Sequence, residues 1–489
     1  MRGFPKTVEF MFLNTPIGEE LSLNGLEVDG DIPADIRGAF FRAVPDPAFP
    51  PLFDDDTALS GDGMISRLWF KEDGSVDFDI RYVQTARYKA ETAAGKALFG
   101  RYRNPYTDDP SVKGVDRTVS NTTPIWHGGK LLMAKEDGRA YRVDPITLET
   151  IGSYDFGGKL KSETMTAHAR IDPETGEMFF FGYEADGLAS TKVAYCIADK
   201  AGSLVSEQWF DAPYCGLMHD FVITKNYAVF PVFPTTCDLE RLKKGGVHWV
   251  HEQGLESWIG VMPRYGDAKD MHWIKGPKGV SAFHFMNCFE DENGRIHLDQ
   301  HLTETNAFEF IRRASGINMA QSEIKGGLVR WSFDPDGNEI TETPLGPPGD
   351  LCRIRDADQG RPYTIGWYLS MDPQMKGPPL LGGPVGVTFN ALIAINPQTT
   401  EMEMLALPPA HAISEPAHIV SSMEDHPGWL LFIIDRQAGE HDFEHEAWIV
   451  NAGAISKGPV AKIKIPHRLR PQVHGWWAPQ EQLDKAAAL

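Results

Sequence analysis

Four histidines sit in segments of one character. His168 lies in Thr164-Met165-Thr166-Ala167-His168-Ala169-Arg170-Ile171, and His219 in Gly216-Leu217-Met218-His219-Asp220-Phe221-Val222-Ile223. His284 lies in Val280-Ser281-Ala282-Phe283-His284-Phe285-Met286-Asn287, and His474 in Pro471-Gln472-Val473-His474-Gly475-Trp476-Trp477. In each, an imidazole follows or interrupts an apolar, strand-like run. The four are far apart in sequence, which excludes a zinc finger or a helical HExxH site, whose ligands come in local pairs. The hypothesis they support is one metal ion receiving one side chain from each of several strands. Four neutral imidazoles leave such an ion its full double charge, and imidazole suits iron, copper, zinc and nickel. An iron site preferring six ligands keeps positions open for O2 and water.

The competing reading of any one histidine is structural, and most of the 16 belong there. His127, His248, His251, His272, His297 and His301 stand in polar or loop-like contexts. His411, His426, His441, His445 and His467 stand among charges or prolines. Each metal-bound imidazole also needs an acceptor for its second N–H. Glu136, in Ala134-Lys135-Glu136-Asp137, and Glu415, in Ser414-Glu415-Pro416-Ala417-His418-Ile419, are candidates at strand edges. The plainer alternative for both is an ordinary surface carboxylate.

The net charge of -21 argues against nucleic acid as a partner, because phosphate binding needs a concentrated basic surface. The five cysteines, Cys196, Cys215, Cys237, Cys288 and Cys352, have no CxxC spacing. They are neither a disulfide framework nor a thiolate metal site, and read as reduced thiols of a cytoplasmic protein. The N-terminal stretch lacks a long apolar run and Glu9 interrupts it, so no signal peptide is expected. No run approaches the length of a membrane span.

The elements that must position the histidines read as strands. Residues 1 to about 35 form an irregular lead-in. Strand-like runs follow at Gly38–Val44, Ile65–Phe70 and Val76–Val83, the last two joined at Asp73-Gly74, a strong hairpin signal. Residues 86–118, partly helical in composition, look like an insertion over one face of a β scaffold. Further on, strands end in turns of one kind: Asp144-Pro145, Asp172-Pro173, Asp334-Pro335 and Asn396-Pro397. Proline fixes φ and Asp or Asn supports the turn, so each unit is a hairpin. Hairpins repeated over hundreds of residues suggest a β-propeller, with two tandem β-sandwiches as the alternative. Residues 478–489 read as a tail, whose final stretch Asp484-Lys485-Ala486-Ala487-Ala488-Leu489 is a frayed helix or in part a cloning remnant.

These same residues carry a family likeness. Gly61-Asp62-Gly63-Met64, Thr166-Ala167-His168 with Ile171-Asp172-Pro173-Glu174-Thr175-Gly176-Glu177, Met218-His219-Asp220-Phe221, Phe283-His284, Ser414-Glu415-Pro416 and His474-Gly475 resemble the carotenoid cleavage oxygenases, and more closely their lignostilbene dioxygenase branch. The likeness spans residues from about 35 to 477. It implies an all-β fold: one seven-bladed β-propeller domain over 1–489, with loops and helices capping the metal-bearing face. It also implies a non-haem Fe(II) held by His168, His219, His284 and His474, with Glu136 and Glu415 behind the imidazoles. Where the family usually has a third Glu, this chain offers the shorter Asp350. Thr122 matches the residue whose methyl restricts one iron coordination position. Tyr102, in Phe99-Gly100-Arg101-Tyr102-Arg103-Asn104, and Lys135 match residues that contact the phenol hydroxyl of a 4-hydroxystilbene in this branch. Leu59-Ser60 stands where branch members can carry an aromatic that stacks on the substrate ring.

The activity this implies is O2-dependent cleavage of the central C=C bond of a lignin-derived hydroxystilbene, giving two aromatic aldehydes of the vanillin type. A lysine ammonium favours phenolate over phenol. A phenolate pushes electron density through the conjugated ring onto the alkene. The rivals are an apocarotenoid-cleaving oxygenase of the same fold, in which a buried ammonium would be costly, and a non-catalytic propeller binding module. Members of the branch are often dimers, so a homodimer is one expectation, although no stretch of the sequence marks an interface.

Overall fold

The strand Met178–Tyr183 is buried at every position, and its side chains divide between two cores. Phe179, Phe181 and Tyr183 meet Phe221 and Phe230 on one face. Met178 and Phe180 meet Ile125 and Leu132 on the other. A run apolar throughout is what a strand needs when its sheet is covered on both sides, and it sets the architecture. The computed structural model describes residues 3–308, 310–314, 323–383, 388–439 and 441–487.

Among these residues, seven antiparallel sheets have four or more strands. The first holds Gly38–Pro45, Gly63–Phe70 and Val76–Tyr82, with Leu21–Leu23 on one edge and Gly475–Pro479 on the other. The second runs from Thr123–His127 to Thr150–Ser153, the third from Arg170–Ile171 to Leu204–Asp211, and the fourth from Val222–Ile223 to His272–Lys278. The fifth runs from Ser281–Glu290 to Thr341–Gly346 and the sixth from Asp350–Ile354 to Met402–Ala406. The seventh runs from His411–Ile413 and Ala417–Ile419 through Trp429–Gln437 and Phe443–Asn451 to Pro459–Ile465, with Val28–Gly30 added outside.

Seven apolar cores join each sheet to the next and close a ring. Phe41 and Ala43 of the first sheet meet Leu131 and Met133 of the second. The second meets the third, and the third the fourth, through the two faces of Met178–Tyr183. Val261 meets Leu298 between fourth and fifth, and Leu328 meets Ile393 between fifth and sixth. Leu392 meets Phe432 between sixth and seventh, and Leu431 meets Leu68 between seventh and first. Fully burying one such side chain stabilises by about 1.5–3 kcal/mol, so each joint holds strongly. This is a β-propeller.

Both chain ends take part in the closure. Gly475–Arg42 and Pro479–Gly38 are cross-strand partners in the first sheet, and Val28–Gly30 pairs with Ala461–Ile463 in the seventh. The lead-in expected to be irregular therefore supplies outer strands to two sheets, at Leu21–Leu23 and Val28–Gly30. The terminal helix Gln480–Ala487 is docked rather than frayed, with Leu483 buried against Phe41 and Trp126. Residues 488–489 of that tail lie outside the described residues.

The Asp-Pro and Asn-Pro turns join strands as hairpins. Asp144 Oδ1 accepts from Ile146 and Thr147 N–H at 2.9 and 2.8 Å, and Asp172 Oδ1 from Glu174 N–H at 2.8 Å. The segment at 86–118 opens with helix Ala86–Ala94, capped by the Thr85 side chain and ended by Gly95 at φ 65°. It then crosses to a second helix, Leu239–Lys243, where Asn104 Nδ2 donates to Leu242 O at 3.1 Å. A small eighth sheet of Thr235–Thr236, Val250–His251 and Arg312–Arg313 lies in the same region. No helix among the described residues is long and apolar enough to cross a membrane.

Candidate metal centre

The four singled-out histidines come from four sheets. His168 and His219 lie two and three residues before the first residues of the edge strands of the third and fourth, Arg170–Ile171 and Val222–Ile223. His284 lies inside Ser281–Glu290, within a register shift between Ala282 and Phe285 that re-aims the backbone, and a second shift follows between Phe285 and Asn287. His474 immediately precedes Gly475–Pro479. Its N–H donates to Thr122 O at 3.1 Å, and its carbonyl accepts from Ala43 N–H at 3.0 Å.

The imidazoles converge. His168 Nε2 is 3.0 Å from His219 Nε2, which is 3.1 Å from His284 Nε2. All four offer a nitrogen within 4.8 Å of the others. Three of the outer nitrogens are committed to carboxylates: His219 Nδ1 to Glu136 Oε2 at 2.6 Å, His284 Nδ1 to Asp350 Oδ1 at 2.8 Å, and His474 Nδ1 to Glu415 Oε1 at 3.1 Å. An Nδ1–H that donates outward leaves a bare lone pair on Nε2. Lone pairs at van der Waals contact repel, and His474 Nε2 is buried with no hydrogen-bond partner. A cation at their common focus removes both problems. Metal–imidazole bonds of about 2.0–2.1 Å separate adjacent ligand atoms by roughly 3 Å, which matches the two close pairs. The residues therefore fit a metal ion.

Each carboxylate is itself fixed. Burial opposes ionisation of Glu136, but His219 and Arg103 outweigh it and hold the carboxyl down to about 2; Arg103 Nη1 lies 3.7 Å away. Burial likewise opposes ionisation of Glu415, and His474 and Arg353 bring it to about 2. Glu415 Oε2 also accepts from Gly475 N–H at 2.9 Å. Asp350, against its burial, is held below the usual carboxylate range by His284. The side chain one methylene shorter than the family's usual Glu still reaches its imidazole. The ring supplies this set evenly. First, third, fourth and fifth sheets give imidazoles, and the second, sixth and seventh give Glu136, Asp350 and Glu415.

Lys135 and Tyr102 come together from distant parts of the chain. Lys135 Nζ stands 5.2 Å from the Tyr102 ring centroid. It donates to Leu59 O at 3.3 Å and Asn121 Oδ1 at 3.2 Å, and among the described residues no carboxylate pairs with it. Burial pulls Lys135 below the usual lysine range and pushes the Tyr102 phenol above its own. An aromatic series leads from there to the imidazoles. Tyr102 is 6.2 Å from Phe310, Phe310 is 6.3 Å from Phe283, and Phe283 is 4.1 Å from His219. Thr122 directs its hydroxyl to Asn121 Oδ1 at 3.0 Å. Leu59, where an aromatic was a possibility, offers its carbonyl to Lys135 and to Asn121 Nδ2. A cavity of about 650 Å³ runs past His168, His284 and His474 to Lys200 and Lys485, and neither Tyr102 nor Lys135 lines it.

Sequence reasoning missed Asn121, Arg103 and the phenylalanines. Asn121 and Arg103 each adjoin a residue already singled out, and Phe283 precedes His284, so adjacency was a usable signal. Phe308 and Phe310 carry no motif.

A profile of the family described as Retinal pigment epithelial membrane protein matches residues 14–479. The chain is 38% identical over 496 residues to lignostilbene-alpha,beta-dioxygenase isozyme III of Sphingomonas paucimobilis, covering 100% of both. It is 39% identical to isoeugenol monooxygenase of Pseudomonas nitroreducens over 95% of this chain and 96% of that one. The crystal structure of Pseudomonas brassicacearum lignostilbene dioxygenase superimposes with a TM-score of 0.92 at 36% identity, covering 98% of this chain and 100% of that one. Cobalt-substituted apocarotenoid oxygenase of Synechocystis shares the fold, with a TM-score of 0.79 at 23% identity over 95% and 97% of the two chains.

Proposed function

The chain belongs to the Retinal pigment epithelial membrane protein family of carotenoid oxygenases, and from that premise we propose an Fe(II)-dependent dioxygenase that cleaves the central C=C bond of 4-hydroxystilbenes. One alkene and one O2 give two aromatic aldehydes, vanillin among them when the ring carries a methoxy group beside its hydroxyl. His168, His219, His284 and His474 would hold the iron, with Glu136, Asp350 and Glu415 fixing three of the rings. When bound, Fe(II) supplies the one-electron chemistry that lets O2 react with a closed-shell alkene.

The observation that carries the substrate class is Lys135, a buried ammonium whose hydrogen-bond acceptors are both neutral. Such a cation favours an anionic ligand. A phenol entering beside Tyr102 is stabilised as phenolate there, and its charge flows through the ring to the alkene. Phe283, Phe308 and Phe310 offer an apolar wall for the conjugated system and exclude water. Thr122, whose carbonyl accepts from His474 N–H at 3.1 Å, would restrict one position at the iron with its methyl. Apocarotenoid cleavage is disfavoured by the same ammonium, and a non-catalytic role by the family.

A second phenolic substrate has support. Two relatives are isoeugenol monooxygenases, at 39% and 38% identity, and isoeugenol also bears a hydroxyl para to an alkene. Product analysis on 4-hydroxystilbene, its O-methyl ether and isoeugenol separates the readings. Fast cleavage of the first alone supports the stilbene activity. Preference for isoeugenol moves the substrate but keeps the phenolate. Equal turnover of stilbene and ether sinks the Lys135 role. We read residues 1–489 as one propeller domain of a cytoplasmic protein, and a homodimer is the assembly to check by light scattering.

A further inference from the structure

Beyond the metal centre, one cluster of reactive side chains is left unused. Gly216 and Thr236 form an antiparallel bridge. Leu217 N–H donates to Thr235 O at 2.8 Å, and Cys237 N–H to Cys215 O at 3.0 Å. Cys215 and Cys237 are therefore direct cross-strand neighbours at a hydrogen-bonded position. In an antiparallel ladder such Cα atoms stand about 5.5 Å apart, within the range of about 4.4–6.8 Å that a disulfide spans. Both thiols are half-buried, whereas Cys196 and Cys288 are buried.

Cys237 also faces a cation. Its sulfur lies within 4.8 Å of a ligand atom on both His248 and Glu184. His248 Nδ1 donates to Arg103 O at 2.8 Å, so its Nε2, 3.0 Å from Glu184 Oε2, can meet that carboxylate only as an N–H donor. The ring is then an imidazolium. Burial opposes this, but Glu184 outweighs burial and brings His248 up to about 8. Arg103, paired with Glu184 at 2.5 Å, adds a second positive charge. Arg103 also faces Glu136 at 3.7 Å, and it is the His248 imidazolium beside Cys237 Sγ that favours its thiolate over its thiol. Hydrogen bonds from Cys215 and His248, against burial, hold the Cys237 thiol down to about 6.

We propose that Cys215 and Cys237 are a redox-modification site, in which Cys237 attacks a low-molecular-weight disulfide and Cys215 resolves the product into an intramolecular disulfide. The Cys237 thiolate displaces one thiolate from the external disulfide and forms a mixed disulfide. The Cys215 sulfur, losing its proton to solvent, then attacks Cys237 Sγ and releases the second thiolate. Two protein thiols are oxidised and one external disulfide is reduced to two thiols.

The test is anaerobic incubation of the iron-loaded protein with glutathione disulfide, followed by alkylation and peptide mass spectrometry. The Cys215–Cys237 link should form about tenfold faster than any modification of Cys196, Cys288 or Cys352, because the thiolate fraction governs attack. Dithiothreitol should reverse it. Cys215→Ser should stop at a mixed disulfide on Cys237, and Cys237→Ser should leave Cys215 unmodified. Iodoacetamide labelling of wild-type Cys237 should rise with pH around 6, and His248→Gln should move that rise upward. The wild-type kinetics decide the matter even where a variant fails to fold. Faster reaction at Cys352, a mixed disulfide on Cys237 that persists in the wild type, or an equivalent of zinc masking the pair would overturn the proposal.

Discussion

The Lys135 ammonium stands 5.2 Å from the centroid of the Tyr102 ring. One comes from just beyond the second sheet's inner hairpin, the other from the loop after the first helix, and Asn121 and Asp56 hold them. Asn121 accepts from Lys135 Nζ at 3.2 Å, and Asp56 accepts from Tyr102 N–H at 3.2 Å. An ammonium has three donors, two of which are used here. The third is available to a phenolic oxygen.

Lys135→Met should lower kcat/KM for 4-hydroxystilbene by about 100-fold, the scale of a lost charge-assisted hydrogen bond of roughly 2–3 kcal/mol. Slow turnover of the O-methyl ether should not change, because it has no phenolate to lose. Burial also pulls Lys135 below the usual lysine range, so the alkaline limb of kcat/KM should begin below about pH 10. Steady-state kinetics across pH read all three effects.

Asp350→Ala should weaken Fe(II) binding by about 10–100-fold, as removal of an imidazole's outer acceptor does. It holds the centre through the 2.8 Å bond to His284 Nδ1. Anaerobic titration against a competing chelator measures the loss. Unchanged affinity would mean that His284 is oriented by packing alone.

His474→Ala should abolish stoichiometric iron while leaving the far-UV circular dichroism of the β fold in place. Truncation before Val473 should do more, because it also removes Gly475–Pro479 from its place beside Gly38–Arg42 and the buried Leu483. A melting temperature well below that of His474→Ala is the expected distinction. Equal melting temperatures would show that the terminal strand is dispensable.

Glu184→Gln should flatten the acid side of the stability profile. Burial opposes ionisation of Glu184, but His248 and Arg103 bring it from 4.5 to about 2. A depressed folded-state pKa contributes stability that is present above pH 4.5 and is lost as the pH falls through 2. Urea denaturation of the metal-free protein should show wild type losing roughly 2–3 kcal/mol more than the variant across that window.

The hairpins were legible because Asp144, Asp172 and Asn396 stabilise their turns locally, within three residues. The histidine segments were legible because each breaks an apolar run with a residue that costs something to bury. What escaped was non-local. Leu21–Leu23 and Val28–Gly30 are short edge strands whose partners lie 55 or more residues away, at Phe78–Ile80, and 431 or more away, at Ala461–Ile463, and they carry no strand signature of their own. Leu483 gave no sign that its helix docks. Cys215 and Cys237 read as unrelated thiols, because only strand pairing sets them opposite one another.

Each of the seven sheets lends one imidazole or one carboxylate to the centre. The proposed metal site is therefore also a count of the ring. A chain that gained or lost a sheet could still bury its apolar faces, yet it would arrive with a spare or missing side chain and with the remaining ones turned through the wrong angle. In the proposed site, four imidazoles and three carboxylates tie blade number to the metal-binding set, so drift in repeat count, which propeller packing alone would tolerate, would cost the chain a ligand or the acceptor behind one.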